Sequence, residues 1–186
     1  MNETIKTIME RFSCRDFEST ALTDEQIAIL TDAALASPSA LNLQPWQVIM
    51  ITDKKLIDEM GEEAINIFRE SEDQTAYNRI MERGGIAFYN APCMMMVPAA
   101  KSEWASLDCG ILSQNVSLAA HAIGLGSVIC GMARVPLEGP RGGEFLKRMN
   151  FPNDYVFGIS ILIGYVKTSK EPHELDKSKV TFVKGD

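Results

Sequence analysis

The feature that most constrains the fold is an uninterrupted apolar run enclosed by two prolines. Residues 93–97 read Cys-Met-Met-Met-Val, and Pro92 and Pro98 flank them. The length of the run is typical of a β-strand, and a strand without polar alternation must be buried on both faces. Residues 157–165 form a second apolar strand of the same kind. Together the two strands predict a central sheet with helices packed on both sides.

Helical patterns dominate the segments around these strands. Thr23 and Gln26 form a capping-box pair at the start of one helix. A long helix is predicted from about Ser102 to Gly124, and its many small residues suggest a buried position at the centre of the fold. Residues 54–88 are mostly polar and are also predicted to be helical.

Shorter strands are predicted beside the two buried ones. Trp46–Thr52 and Ser127–Ile129 are rich in β-branched or aromatic residues. Lys177–Lys184 alternates polar and apolar residues, which favours an edge strand. No repeat, low-complexity tract or linker interrupts residues 1–186. The elements therefore predict a single α+β domain with a central sheet sandwiched by helices.

The charge of the chain excludes some classes of function. Its 186 residues include 18 Lys and Arg against 25 Asp and Glu, a formal net charge of −7. A protein that binds nucleic acid needs a basic face, so no nucleic-acid partner is expected. No apolar stretch approaches the roughly 18 residues of a membrane span, and the N-terminal residues lack the apolar core of a signal peptide. We expect a cytoplasmic protein without a membrane partner.

The cysteines and histidines predict no metal site. Cys14, Cys93, Cys109 and Cys130 are too widely spaced for a CxxC pair, and only two histidines accompany them. Scattered reduced thiols are the expected state.

A cluster of cations follows the predicted first helix. Arg11 and Arg15 flank the hydroxyl of Ser13. Two guanidinium groups four positions apart suit a phosphate together with a second electron-rich group. Taken alone, the pattern is more typical of a solvated helix end that carries surface arginines.

Two further clusters are polar or rich in glycine. Residues 37–44 place Ser39 and Asn42 in a loop with two nearby prolines, which by itself is only a well-formed turn. The glycines of residues 124–131 permit close approach of backbone amides to a flat ligand. This segment follows a predicted helix and lacks the GxGxxG order, so a Rossmann dinucleotide site is not expected.

In this order, the clusters resemble the short-chain type of the nitroreductase family of FMN-dependent oxidoreductases. The matching segments are Arg11-x-Ser13-x-Arg15 with Phe17, Ser37-Pro38-Ser39-Ala40-x-Asn42-x-Gln44-Pro45-Trp46, Gly124-Leu125-Gly126-Ser127 to Gly131, and Ile161-x-Ile163-Gly164-Tyr165. The resemblance implies an α+β fold with a mainly antiparallel sheet between helices, and a C-terminal strand that extends to the partner of a homodimer. It also implies hydride transfer from NADH or NADPH through FMN to a small acceptor, such as a nitroaromatic or a quinone, in a ping-pong cycle. A flavin-binding storage or sensor protein without turnover is the alternative.

The resemblance implies a role for each matching residue. Arg11 and Ser13, with Phe12 between them, match the positions that hold the phosphate and ribityl chain, and Arg15 matches the cation near N1 and O2 of the flavin ring. Pro38, Ser39, Ala40 and Asn42 would come from the partner subunit. Ile129, Cys130 and Gly131 match the segment whose backbone N–H faces flavin N5. Lys177 and Lys179 resemble the basic pair that closes on the phosphate. No side chain need be catalytic, because N5 carries the hydride.

Two points stay open from the sequence. Cys130 is either a redox thiol near the flavin or simply a small buried residue, and Cys14 has the same ambiguity. Residues 54–88 are expected to cover the flavin. Their aromatic residues are candidates either to stack on an acceptor or to pack in the core, and they are Phe68, Tyr77, Phe88 and Tyr89.

Overall fold

A four-stranded antiparallel sheet forms the centre of the computed structural model, which describes residues 2–185. Its strands are β1 (Ile49–Ile51), β2 (Cys93–Ala100), β3 (Gly126–Ile129) and β4 (Tyr155–Gly164). They lie in the order β1-β2-β4-β3, and every neighbouring pair is antiparallel. The predicted α+β class with a mainly antiparallel sheet is therefore confirmed.

Seven helices surround the sheet in the described part of the chain. They are α1 (Glu3–Glu10), α2 (Asp24–Leu35), α3 (Lys54–Glu70), α4 (Thr75–Glu82), α5 (Ala105–Ala122), α6 (Arg134–Glu138) and α7 (Gly142–Arg148). The capping box at the start of α2 is confirmed, because the Gln26 N–H donates to Thr23 Oγ1 and the Thr23 N–H donates to Gln26 Oε1. None of the described helices is both long and apolar enough to cross a membrane.

Strand β2 is buried on both faces, as its sequence predicts. Met94 and Met96 face one cluster of buried side chains, whereas Met95 and Val97 face the other. The first cluster draws on α3, α6 and α7, and the second draws on α2 and α5. Because side chains alternate along a strand, an all-apolar strand requires a hydrophobic layer on each side. Helix α5 provides much of one layer, which confirms its predicted central position.

Strand β1 is shorter than predicted from Trp46–Thr52. Only three of those residues belong to the strand proper, and Trp46 forms an isolated bridge with Ala99. Between them, the Gln47 N–H donates to the Pro98 carbonyl. Proline has no N–H to complete a ladder, and β2 also changes register between Val97 and Pro98. Regular pairing therefore begins only at Ile49.

The predicted edge strand at Lys177–Lys184 is wrong. Lys177–Lys179 form a 3₁₀ turn, which Asp176 caps by accepting a hydrogen bond from the Ser178 N–H, and residues 180–185 have no regular secondary structure. Within residues 2–185 no neighbouring strand lies beside this segment, and Val183 is 95% exposed. Alternation alone does not form a strand, because a strand needs a partner for its backbone hydrogen bonds.

Candidate functional site

The segment that follows α1 is anchored to the edge of the sheet. The Cys14 N–H donates to the Ser127 carbonyl at 2.9 Å, and Ser13 forms a parallel bridge with Ser127. The Phe17 N–H donates to the Tyr89 carbonyl at 3.2 Å. The close approach requires a glycine in β3, because a Cβ at Gly126 would lie 2.8 Å from that of Cys14. These contacts fix the backbone that carries the cations at positions 11 and 15.

A cavity of about 410 Å³ lies between this segment and the helical region after β1. Arg15 lines it together with Ile129, Cys130 and Gly131. Four residues predicted for one site from distant parts of the sequence therefore share one cavity. The remaining lining residues are Phe68, Ala76, Arg79, Ile80, Arg83, Ile86, Tyr89, Val128 and Met132.

A second cavity of about 440 Å³ adjoins the first. Phe12 and Ser13 line it, and Arg15 and Arg83 line both cavities. Its other lining residues are Asp16, Thr168, Ser169 and Lys170. The two cavities share Arg15 and Arg83 and are the two ends of one site: apolar residue types dominate the lining of the first, and polar and charged residue types dominate that of the second.

Arg11 carries an unusual unpartnered atom at the start of this segment. Its Nη2 donates to Ser13 Oγ at 3.4 Å, but its Nε is buried and has no hydrogen-bond partner among residues 2–185. Leaving a buried donor unpaired costs about 1–3 kcal/mol, and more for a charged group. Arg11 lines neither cavity, so this unpaired donor is what favours an oxyanion such as phosphate beside it.

The remaining predicted residues lie outside these two cavities. Pro38, Ser39, Ala40 and Asn42 belong to a loop that packs on α5, where the Ala40 N–H donates to Asp108 Oδ1 at 3.0 Å. The loop follows an irregular path, with φ of 52° at Leu41 and 54° at Asn42. The final pair, Lys177 and Lys179, lies in the exposed tail.

The four aromatic candidates separate into two groups. Phe68 and Tyr89 line the first cavity. Phe88 is buried in the core, and Tyr77 packs beneath the guanidinium of Arg69. Helix α4 forms one wall of the first cavity, with Ala76 and Ile80 among its lining residues.

Comparison with known protein families identifies the family of this chain. Residues 8–165, most of the chain, match the model of the nitroreductase family. The chain belongs to the nitroreductase family.

Individual relatives cover nearly all of this nitroreductase. A nitroreductase with bound FMN from Desulfitobacterium hafniense DCB-2 is 45% identical with a TM-score of 0.95, over 99% of this chain and 100% of that one. An FMN-dependent nitroreductase from Clostridium difficile R20291 is 25% identical with a TM-score of 0.82, over 98% and 99% of the two chains. The FMN reductase [NAD(P)H] of Bacillus subtilis is 26% identical over 100% of this chain and 77% of its own.

Several cavity residues of this nitroreductase were not predicted from the sequence. Arg79, Arg83 and Lys170 line the site but were not among the predicted site residues, although Arg79 and Arg83 belong to the segment 54–88 that was expected to cover the flavin. Their spacing offered one signal, since Arg79 and Arg83 are four residues apart and share a helix face with Ala76 and Ile80.

The structure favours a packing role for Cys130. The residue is buried. Its N–H donates to the Ser160 carbonyl at 2.8 Å, and its own carbonyl accepts a hydrogen bond from Ser160 Oγ at 2.6 Å. Burial raises the pKa of its thiol, an effect that nearby hydrogen bonds and the charge of Arg15 only partly offset. Burial also raises the pKa of Cys93 to about 12 and that of Cys109 to about 11. Cys14 is buried as well, and burial raises its pKa.

We therefore expect all four thiols of the native protein to be unreactive. A pKa above the ordinary value lowers the thiolate fraction at about pH 8, and the thiolate is the reactive form. Thiol titration with a chromogenic disulfide should give a slow reaction in buffer and four equivalents after denaturation. A fast equivalent in the native protein that disappears in Cys130→Ser would instead identify a redox thiol.

Proposed function

We propose that this nitroreductase is an FMN-dependent enzyme that takes hydride from NADH or NADPH and passes it to a small acceptor, such as a nitroaromatic or a quinone. The observation that carries the proposal is the cavity in which Arg15 meets the Ile129–Gly131 segment. The FMN bound to the Desulfitobacterium hafniense relative supports the choice of cofactor.

The residues present fit a phosphorylated flavin. Arg11 has a buried Nε that needs an acceptor, and the adjacent Ser13 hydroxyl lines the polar cavity. We assign the phosphate and the ribityl chain to these two residues. Arg15 lines both cavities, so one guanidinium is available to the ring at the apolar end of the site. A local group of cations is notable in a chain whose net charge is −7.

When bound, FMN supplies a reversible two-electron carrier that exchanges hydride at N5. The protein's contribution is positioning and electrostatics. Arg15 would hold a positive charge beside the part of the ring to which reduction adds negative charge, and such preorganised charge favours the reduced form. The Cys130 N–H already donates to the Ser160 carbonyl, so we assign the donor that faces N5 to the Gly131 N–H.

The composition of the first cavity supports chemistry without an acid or base from the protein. No carboxylate or imidazole is among the residues that line it in the described chain. Phe68, Ile80 and the ring of Tyr89 give part of the lining an apolar surface. In this proposal the nicotinamide reduces the flavin and the acceptor reoxidises it in the same cavity. The two substrates therefore occupy the cavity in turn, which is the order of a ping-pong cycle.

We further propose that the active form is a homodimer. Asp108 holds the loop of residues 37–44 in place, and Leu41 at its tip is 90% exposed. Pro38, Ser39, Ala40 and Asn42 would then complete the site of the partner subunit. Apolar side chains elsewhere in the protomer are also exposed, among them Ile5, Ile8, Met9, Phe182 and Val183. Docking of the tail on the partner would also bring Lys177 and Lys179 close to a phosphate.

The test is the absorbance spectrum of the purified protein before and after anaerobic addition of NADH or NADPH. We expect a yellow dimer by light scattering, FMN release on denaturation, bleaching by the nicotinamide and recovery of colour with a quinone. Bound FMN that is not bleached would support the flavin-storage alternative. A colourless protein that does not bind added FMN at micromolar concentration would contradict the proposal altogether.

A further inference from the structure

Two arginines at the C-terminal end of α4, the α4 arginines, line the first cavity without an assigned role. Arg79 lies within the helix and Arg83 caps its C-terminus, four residues further on, so both lie on the same side of α4. Both line the first cavity, and Arg83 also lines the second. In the proposed function, Arg15 faces the flavin ring and Arg11 binds the FMN phosphate. The hydride exchange proposed above requires neither of the two remaining cations.

The lining of the first cavity is positively charged, whereas the chain as a whole is negatively charged. Its lining includes three arginines and, within the described residues, no acidic side chain. Across residues 2–185, Arg15, Arg79 and Arg83 form no ion pair with a carboxylate. By contrast, Arg134, Arg141 and Arg148 on the α6–α7 side all pair with glutamates. The α4 arginines are therefore available for an anion from solution.

We propose that the enzyme acts on planar substrates that carry an anionic group, a carboxylate or a phosphate, which Arg79 and Arg83 bind at the open side of the cavity. This inference rests on the proposed function. The apolar part of such a substrate would pack against the apolar lining, for example Phe68, Ile86 and Met132. Guanidinium groups match the geometry of carboxylate and phosphate oxygens, and two of them on one helix face can bind one anion.

The anion could come from either of two substrates. An acceptor such as a nitrobenzoate carries a carboxylate, and NADPH carries a 2′-phosphate that NADH lacks. Both would meet the same pair of arginines, because the two substrates use the cavity in turn. The variants Arg79→Gln and Arg83→Gln, and the double variant, separate these sources when each substrate is compared with its uncharged counterpart.

The first arm compares 4-nitrobenzoate with 4-nitrobenzamide as acceptors. The ratio of their kcat/KM values in each variant is divided by the ratio in the parent protein, so that intrinsic reactivity cancels. Both arginines are exposed, so we expect each single variant to lower the ratio roughly three- to fivefold, and the double variant to lower it about tenfold. The loss should appear in KM and should diminish at high salt.

The second arm compares NADPH with NADH in the bleaching of the bound flavin. A fall in the NADPH to NADH rate ratio in the variants assigns the arginines to the 2′-phosphate. A third, non-catalytic readout is calorimetric titration of the oxidised holoenzyme with benzoate and benzamide, in which only benzoate binding should weaken.

Arg134→Gln is the matched control, because it removes the same charge from an exposed position that does not line the cavity. Flavin content and melting temperature confirm that each variant is folded. A fall in either ratio, absent in Arg134→Gln, supports the inference. The inference is overturned if the acceptor ratio, the NADPH to NADH ratio and the benzoate affinity each change by less than about twofold in the variants. If 4-nitrobenzamide is still reduced in that case, the proposed function stands. If the parent protein reduces neither acceptor, it is the proposed function that fails.

Discussion

Arg15→Ala is expected to lower the midpoint potential of the bound flavin by roughly 30 to 60 mV, which corresponds to about 1.5–3 kcal/mol for a two-electron couple. In the proposed binding mode the lost charge would lie where reduction adds negative charge, so the reduced state would lose more stabilisation than the oxidised state. An interaction that differs between the two states changes reactivity, so bleaching by NADH or NADPH should slow by about one to two orders of magnitude. A spectroscopic redox titration of the saturated variant measures the shift, and stopped-flow absorbance measures the rate.

Arg11→Ala is the matched comparison, because it removes the same type of side chain from the same segment. A phosphate contact is equally strong in both redox states, so this variant should bind FMN about tenfold or more weakly with an unchanged potential. Equal midpoint potentials for Arg15→Ala and the parent protein would show that Arg15 does not face the flavin ring and is instead a second phosphate ligand.

Gly126→Ala is expected to damage both stability and cofactor binding. The new Cβ would lie 2.7 Å from Val166 Cγ2 and 2.8 Å from the Cβ of Cys14. Such overpacking costs about 1–3 kcal/mol of unfolding free energy. The Cys14 backbone must also move away from β3, which displaces the neighbouring cations and should weaken FMN binding roughly tenfold. Denaturant unfolding of the apoprotein and titration with FMN measure the two effects separately.

Gly143→Ala provides the control for this substitution. Gly143 is exposed in α7, and nothing lies within 4 Å of a Cβ added there. Alanine is the better helix former, so the variant should be unchanged or more stable by up to about 1 kcal/mol, with normal FMN affinity. Normal FMN affinity in Gly126→Ala would show that the approach of Cys14 to β3 does not set the geometry of the site.

The sequence predicted most accurately what depends on local chemistry. The buried run at residues 93–97 required helices on both faces, and the capping box at Thr23 marked the start of α2. Helices α6 and α7 were not predicted, because they have five and seven residues and include Pro136 and two glycines. Such short elements depend on packing against α3 rather than on their own propensity.

For the site, the sequence motifs identified the cations near β3, and the opposite wall was expected within residues 54–88 but without its arginines. Arg15 and Ile129–Gly131 line the same cavity. Their roles, like those of the partner's loop and of Lys177 and Lys179, remain predictions. Arg79 lies in an ordinary polar helix and Arg83 directly follows it, and only the tertiary fold brings them to the same cavity as β3. The tail illustrates the opposite error, because its alternation predicted an edge strand where no strand of residues 2–185 pairs with it.

Helix α1 and residues 11–17, which follow it, differ sharply in how firmly the rest of the fold anchors them. No residue of α1 is buried, and an isolated helix of eight residues is marginal in water. Cys14 and Phe17 are fully buried, and their amides bond to Ser127 and Tyr89. In a separated protomer, the amide hydrogens of α1 would exchange with solvent by local fraying, whereas those of Cys14 and Phe17 would exchange only when the sheet itself opens. The boundary between these two cooperative units falls at Arg11, so the proposed phosphate ligand lies where association of two protomers would turn a fraying end into a fixed one.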